Sequence, residues 1–310
     1  MPDIIFLYFL YAAATLMLAY RLIKLKKFSD LSSYSAILVI SIIAFYLEHA
    51  DIALLISGVI IFNAIIASYG KKLCYLFIFI GILYAAVSYT TGPEFVLQSL
   101  FLGMLSGSNL FETKKQKNEK KNELRRNAVQ IVAGVFLISV FYILKSSIAD
   151  AVLFWFVIIG SIFGNYALIN KSGKVSKFIN SFERSETTLG SGARWLAIGS
   201  LATASFLTGN AVLAVFSAIF IADSLSTLFG ISVKTPKLPY NHNKSTGGTA
   251  VYFLTVLAIS YAFIGPLAVL LAIVSSLFES QPYHIDDNFD VAILMVAVFI
   301  LLKFFGIGVF

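Results

Sequence analysis

The chain has 310 residues, of which 59% are hydrophobic and only 13% charged, and its mean hydropathy is +0.88. A soluble globular domain carries about 45–50% apolar and roughly 25% charged residues, so these values exclude one and point to a polytopic membrane protein. The formal charge of +7 would suit nucleic acid, but most basic residues lie in short spacers between apolar runs, so no nucleic-acid partner is expected. Cys74 is the lone cysteine, which excludes an intramolecular disulfide and a cysteine metal cluster.

A helical span needs about 20 apolar residues, and the expected fold is all-α with about twelve transmembrane or re-entrant helices. In chain order they run 4–22, 31–47, 52–70, 73–90, 94–110, 127–144, 149–169, 193–208, 210–230, 247–263, 266–278 and 291–308. The first has Asp3 before it and Arg21, Lys24, Lys26 and Lys27 after it; lacking the basic start of a cleavable signal, it reads as a retained anchor. The run 266–278 is short enough to be re-entrant.

Lysine and arginine collect on the cytoplasmic side of a membrane. Of the 23 basic residues, all but Lys145 and Lys303 fall in alternate connections, which predicts both termini outside and the loops 111–126, 170–192 and 231–246 in the cytosol. Three regions follow from composition. Residues 1–110 form a membrane region of unknown role with about five spans, 111–126 a basic cytoplasmic linker, and 127–310 a membrane domain holding nearly all the polar clusters.

Four such clusters carry chemistry. Near the end of the ninth span, Asp223, Ser226, Thr227 and Gly230 share one helix face, and Asp223 lies about 10 Å from the cytoplasmic end. A charge buried in the bilayer costs several kcal/mol unless it is paired or faces water, so the carboxylate is a functional candidate; a structural ion pair or a protonated acid is the plainer alternative. The second cluster is Lys244-Ser-Thr-Gly-Gly-Thr249, where hydroxyls, small residues and free amides at a helix start suit an anion, although the same residues are ordinary caps. No Walker A pattern is present. The third, Glu279-Ser-Gln-Pro-Tyr-His-Ile-Asp-Asp-Asn288, has no basic residue and suits a hard cation such as magnesium, or is simply a solvated acidic loop. His284 within it has no second histidine nearby, so a cap or hydrogen bond is favoured over metal binding. In the fourth, Arg126, Gln130 and Gly134 lie on one helix face. All four clusters share the predicted cytoplasmic side. Together they hold the inventory of phosphoryl transfer, which needs positioning and charge neutralisation; a transporter more often places polar groups at the bilayer midplane.

Over roughly residues 120–310 these elements, in this order, resemble the phytol kinase and dolichol kinase family of CTP-dependent polyprenol kinases, nearest the phytol kinase branch. The family's aspartate-to-glycine element appears as Asp223 to Gly230, its Pro-Tyr-Asn-x-x-Lys-Ser element as Pro239 to Thr249, and its acidic element as Glu279-Ser280 with Asp286-Asp287-Asn288. The family's Arg-Lys-x-x-His is here Arg126-Asn127-Ala-Val-Gln130. Ala222 replaces the usual glycine, and Gly247 stands where relatives carry Glu or Ala.

The resemblance implies a membrane-integral kinase that phosphorylates a long-chain isoprenoid alcohol of the dolichol, geranylgeraniol or phytol type, with CTP as donor and Mg2+ as cofactor. Asp223, Lys244, Asp286 and Asp287 would be catalytic. The nucleotide phosphates would fall to Arg126, Asn241, Ser245, Gly247, Gly248 and Thr249. Asp223, Glu279, Asp286, Asp287 and Asn288 would hold the metal, and Gly230 is the small residue of the helix face. The alternatives are a cytidylyltransferase or kinase acting on a lipid phosphate and, from another class, a transporter. Which alcohol is used, and the oligomeric state, are not legible.

Overall fold

The computed structural model describes Leu97 and residues 120–169, 173–182, 191–282 and 286–307. The expected spans from 4–22 to 94–110 lie outside the described residues, Leu97 excepted, as do residues 111–119, 183–190 and 283–285, the last including His284. Among the described residues every regular element is helical, with one isolated backbone bridge between Lys237 and Ser245. In order these are α1 (Lys120–Ile143), α2 (Ser146–Ile169), α3 (Lys174–Asn180), α4 (Ser191–Phe206), α5 (Asn210–Phe216), a π-helical turn (Ser217–Ala222), α6 (Asp223–Ser232), α7 (Thr246–Ile264), α8 (Leu267–Glu279) and α9 (Asp287–Phe304).

α5, the π turn and α6 run on as one 23-residue rod, Asn210–Ser232. Every residue from Ala211 to Phe220 is buried, as expected of a helix that is apolar all round. α1, α4, α7 and α9 pack around this rod, and α8 packs on α7 and α9. Glycine sets two of the close approaches. A Cβ on Gly134 would lie 2.4 Å from Phe220 Cβ, and one on Gly199 would lie 3.1 Å from Ala292 Cβ, so α1 meets the π turn and α4 meets α9 almost backbone to backbone. α7 turns back into α8 through Gly265, whose φ of 58° only glycine adopts without strain, followed by Pro266 at the helix start.

The stretches Glu123–Ile143, Asn210–Ser232 and Thr246–Ile264, of 21, 23 and 19 residues, are long and apolar enough to cross a membrane. α1 and α7 also turn large apolar side chains outward, Val132, Phe136 and Leu254 among them, a surface that lipid solvates and water does not. The described part of the protein is thus helical, and its long apolar helices mark it as membrane-associated.

The helices match the expected spans of the second half within a few residues, with three differences. Residues 120–126 of the expected linker are the first turns of α1. The loop 170–192 contains the short helix α3. α9 starts at Asp287 rather than 291, because Asp286 caps it: its Oδ1 accepts from the Asn288 N–H at 3.1 Å, and carboxylates in a first turn favour a helix start.

Candidate functional site at one end of the bundle

The helix ends that carry the sequence clusters are brought to one end of the bundle: the start of α1, the C-terminal half of the central rod, the start of α7, the end of α8 and the start of α9. At the centre is Asp223, 3% exposed, the first residue after the π turn. Its N–H bonds Ala218 O, five residues back. The wide turn therefore withdraws the donor that an α-helix would give to Ile219 O. Gln130 Nε2 of α1 takes that carbonyl at 2.8 Å and also donates to Asp223 Oδ2 at 3.2 Å. The Asn288 amide of α9, with its nitrogen turned toward the same two acceptors, donates to Ile219 O at 2.9 Å and Asp223 Oδ2 at 3.2 Å. Two amides from two helices thus clamp one carboxylate oxygen and one backbone carbonyl. The second oxygen, Asp223 Oδ1, is buried and accepts no hydrogen bond from any described residue.

Lys244 forms the other half of the site. Its ammonium bonds Glu279 Oε1 at the end of α8 and Asp287 Oδ2 at the start of α9, the latter at 2.8 Å. Burial disfavours the charge, but Glu279, Asp287 and Asp223 outweigh it and hold the Lys244 pKa above its ordinary range. The loop that delivers Lys244 is strapped to α8: Asn241 Nδ2 donates to Ser280 O at 2.9 Å, Asn241 Oδ1 accepts from Asn243 N at 3.1 Å, and the Tyr240 and Ser280 hydroxyls pair at 2.9 Å. Asn241, expected on phosphate, uses both ends of its amide inside the protein.

The start of α7 also differs from expectation. Its amides are engaged: Thr246 N bonds Pro236 O, Gly247 N bonds Thr235 Oγ1, Gly248 N bonds the Ser245 side chain, and Thr249 N bonds Ser245 O. Gly247 and Gly248 are required by packing, since a Cβ on Gly247 would lie 2.7 Å from Thr235 Cγ2 and one on Gly248 would lie 3.1 Å from Ser245 Oγ, itself close to Gly230. These small residues let α7 cross α6 closely, and the amides expected to cradle phosphate are occupied by the chain itself.

The metal set is likewise rearranged. Among the described residues no three of His, Cys, Asp and Glu stand together to hold a metal. Glu279 and Asp287 face the Lys244 ammonium, Asp286 caps α9 and Asn288 donates to Asp223, so the residues do not fit a preassembled magnesium site. Arg126 lies one turn before Gln130, its Nη1 3.7 Å from where a Cβ on Gly192 would be, at the start of α4. An open cleft at the opposite end, lined by Leu207, Ala211, Phe299 and Lys303 among others, contains none of these residues.

Gln130 is the site residue whose role the sequence does not show: the pattern puts it on the Arg126 face, and only the fold brings its amide to Asp223. Asn127, the residue after Arg126, is fully buried with an amide that meets no hydrogen-bond partner among the described residues.

No family model and no solved structure matches the chain. Over 119 residues it is 34% identical to an uncharacterised protein of Methanocaldococcus jannaschii, a match that covers 37% of this chain. The chain spans about 60% of the length of that curated relative.

Proposed function

We propose that this chain is a membrane-integral phosphotransferase that moves the γ-phosphate of CTP to the hydroxyl of a long-chain isoprenoid alcohol. The supporting observation is convergence: Gln130, Asp223, Lys244, Glu279, Asp287 and Asn288, drawn from five elements, meet at one end of a lipid-facing bundle. The order of these elements along the chain, rather than any one of them, carries the resemblance to the polyprenol kinases.

In this reading the alcohol enters laterally from the lipid. Its oxygen attacks the γ-phosphorus, the bond to the β-phosphate oxygen breaks, CDP leaves, and the hydroxyl proton passes to Asp223 Oδ1 and on to solvent. Lys244 supplies positive charge beside the phosphates. Any magnesium would arrive with the nucleotide and lower the charge of the triphosphate; no residue of the chain is assigned to hold it. The catalytic unit is 127–310, and the site end faces the cytosol.

The test is transfer of label from [γ-32P]CTP and other nucleotides to a panel of polyprenols by the purified protein, with the spent nucleotide separated. Labelled lipid phosphate with stoichiometric CDP is expected. Pyrophosphate as product would favour the cytidylyltransferase alternative, and no transfer from any pair of substrates would overturn the proposal. The alternative from another class is transport: the π turn is an irregularity inside the mostly buried central helix, and irregular helices occur at transporter sites. Nucleotide-independent solute flux in proteoliposomes would be the mark of that reading.

A further inference from the structure

Tyr252 is the largest fully buried side chain among the described residues. Two registers fix its level in the bundle. α7 runs antiparallel to the central rod, with Gly248 against Ser226 O and the Ser260 hydroxyl 3.2 Å from that of Ser217; Tyr252, one turn beyond Gly248, is therefore level with Asp223. α7 and α8 form a hairpin through Gly265 and Pro266, and the same counting sets Tyr252 level with Glu279. Its phenol accordingly lies in the field of both carboxylates.

The unmet groups near this level include carboxylate oxygens, which only accept, and hydroxyls, which donate and accept. Asp223 Oδ1, Glu279 Oε2 and the hydroxyls of Thr249, Tyr252 and Ser275 are all buried without a hydrogen bond from any described residue. Ser275 neighbours Tyr252, but a hydroxyl is one donor and a double acceptor, so even a bond between the two leaves capacity on both. A buried polar group left unmet is costly to the fold. A phosphate cannot satisfy them, since two carboxylates repel it. A neutral group that both donates and accepts can, and the apolar core of the bundle, to which Tyr252 itself belongs, suits an apolar tail.

We infer that Tyr252 and Asp223 together bind the hydroxyl of a long-chain primary alcohol, the phenol donating to the alcohol oxygen while Asp223 Oδ1 accepts its proton. The inference rests on the transferase reading and assigns the alcohol hydroxyl to Asp223 and Tyr252.

The experiment measures binding apart from turnover. Purified wild type and Tyr252→Phe are titrated with radiolabelled geranylgeraniol in detergent, and the KM values for geranylgeraniol and CTP are determined. Tyr252→Phe is expected to weaken alcohol binding at least tenfold and to raise the alcohol KM alone, with the melting temperature kept. Tyr261→Phe, exposed at the far end of the same helix, should change neither. The methyl ether of geranylgeraniol, tested on wild type, should bind at least tenfold less tightly than the alcohol, a comparison independent of any variant's folding. Equal binding of alcohol and ether, or unchanged alcohol affinity in folded Tyr252→Phe, overturns the inference while leaving transferase activity intact. Alcohol binding lost in Tyr252→Phe, with no transfer by wild type from any nucleotide, upholds it and removes the transferase reading.

Discussion

Asp223 is held unlike an ordinary ion-paired carboxylate, because its bonded oxygen takes two neutral amides while Lys244, bonded to Glu279 and Asp287, attracts it only at a distance. This makes Asp223→Asn a clean probe. The asparagine keeps an acceptor for Gln130 and Asn288, so the clamp and fold should survive, but it presents an NH2 where the free carboxylate oxygen stood. Turnover should fall at least about a hundredfold with a melting temperature within a few degrees of wild type; near-normal turnover in the folded variant would take Asp223 out of the chemistry. Lys244 yields a prediction about pH. A cation whose folded pKa is raised contributes fully below its unfolded value, about 10.4, and loses that contribution only as the pH rises through the higher folded value. The pH–rate profiles of wild type and the permanently charged Lys244→Arg should therefore have the same basic limb up to about pH 10. A limb near pH 8 present only in wild type would show an ammonium that titrates early, against the geometry of Glu279 and Asp287 around it.

At the scale of elements, the π turn depends on what lies beside it. Gly134 is where α1 comes closest, and a methyl group there would meet Phe220 Cβ at 2.4 Å, pushing away the helix that carries Gln130. Gly134→Ala should cost about 1–3 kcal/mol and lower the melting temperature by several degrees. It should also raise the KM of a site that the substitution does not touch; an unchanged melting temperature would mean the two helices are less closely locked than their backbones indicate. The same elements mark how far the sequence could be read. Long apolar runs located α1, α2, α4, the central rod, α7, α8 and α9 because lipid and core both demand them. α3 was missed because Lys174–Asn180 is short and polar. The carboxylates at the start of α9 read as loop, because capping and solvation use the same residue types. The π turn left no compositional trace, since Ser217–Ala222 would be equally at home in an α-helix. Asp223, Lys244, Glu279 and Asp287 were legible because charge is costly in an apolar chain. Tyr252 was not, as an aromatic ring is cheap there, and the engaged amides of α7 depend on Thr235 and Pro236, which no local pattern ties to them.

On the scale of the whole molecule, chain direction sorts the charges. Arg125 and Arg126 on α1, Lys174 and Lys177 on α3, and Lys234, Lys237 and Lys244 between α6 and α7 all fall at the end that holds Asp223, whereas Lys145, between α1 and α2, and Lys303, in the last turn of α9, fall at the other. Basic loops are retained on the cytoplasmic side, so a site built from these ends should open to the cytosol, where nucleoside triphosphates are found. Ser232, exposed at the end of α6, is a suitable reporter because Cys74, the lone cysteine, can be replaced by serine. In that background Ser232→Cys should resist an impermeant maleimide applied to intact cells and react in inside-out vesicles, while Lys145→Cys should show the reverse. Should Ser232→Cys be labelled from outside, the bundle would be inverted, Lys244 would face a compartment without CTP, and a nucleotide-dependent kinase could not operate from this site.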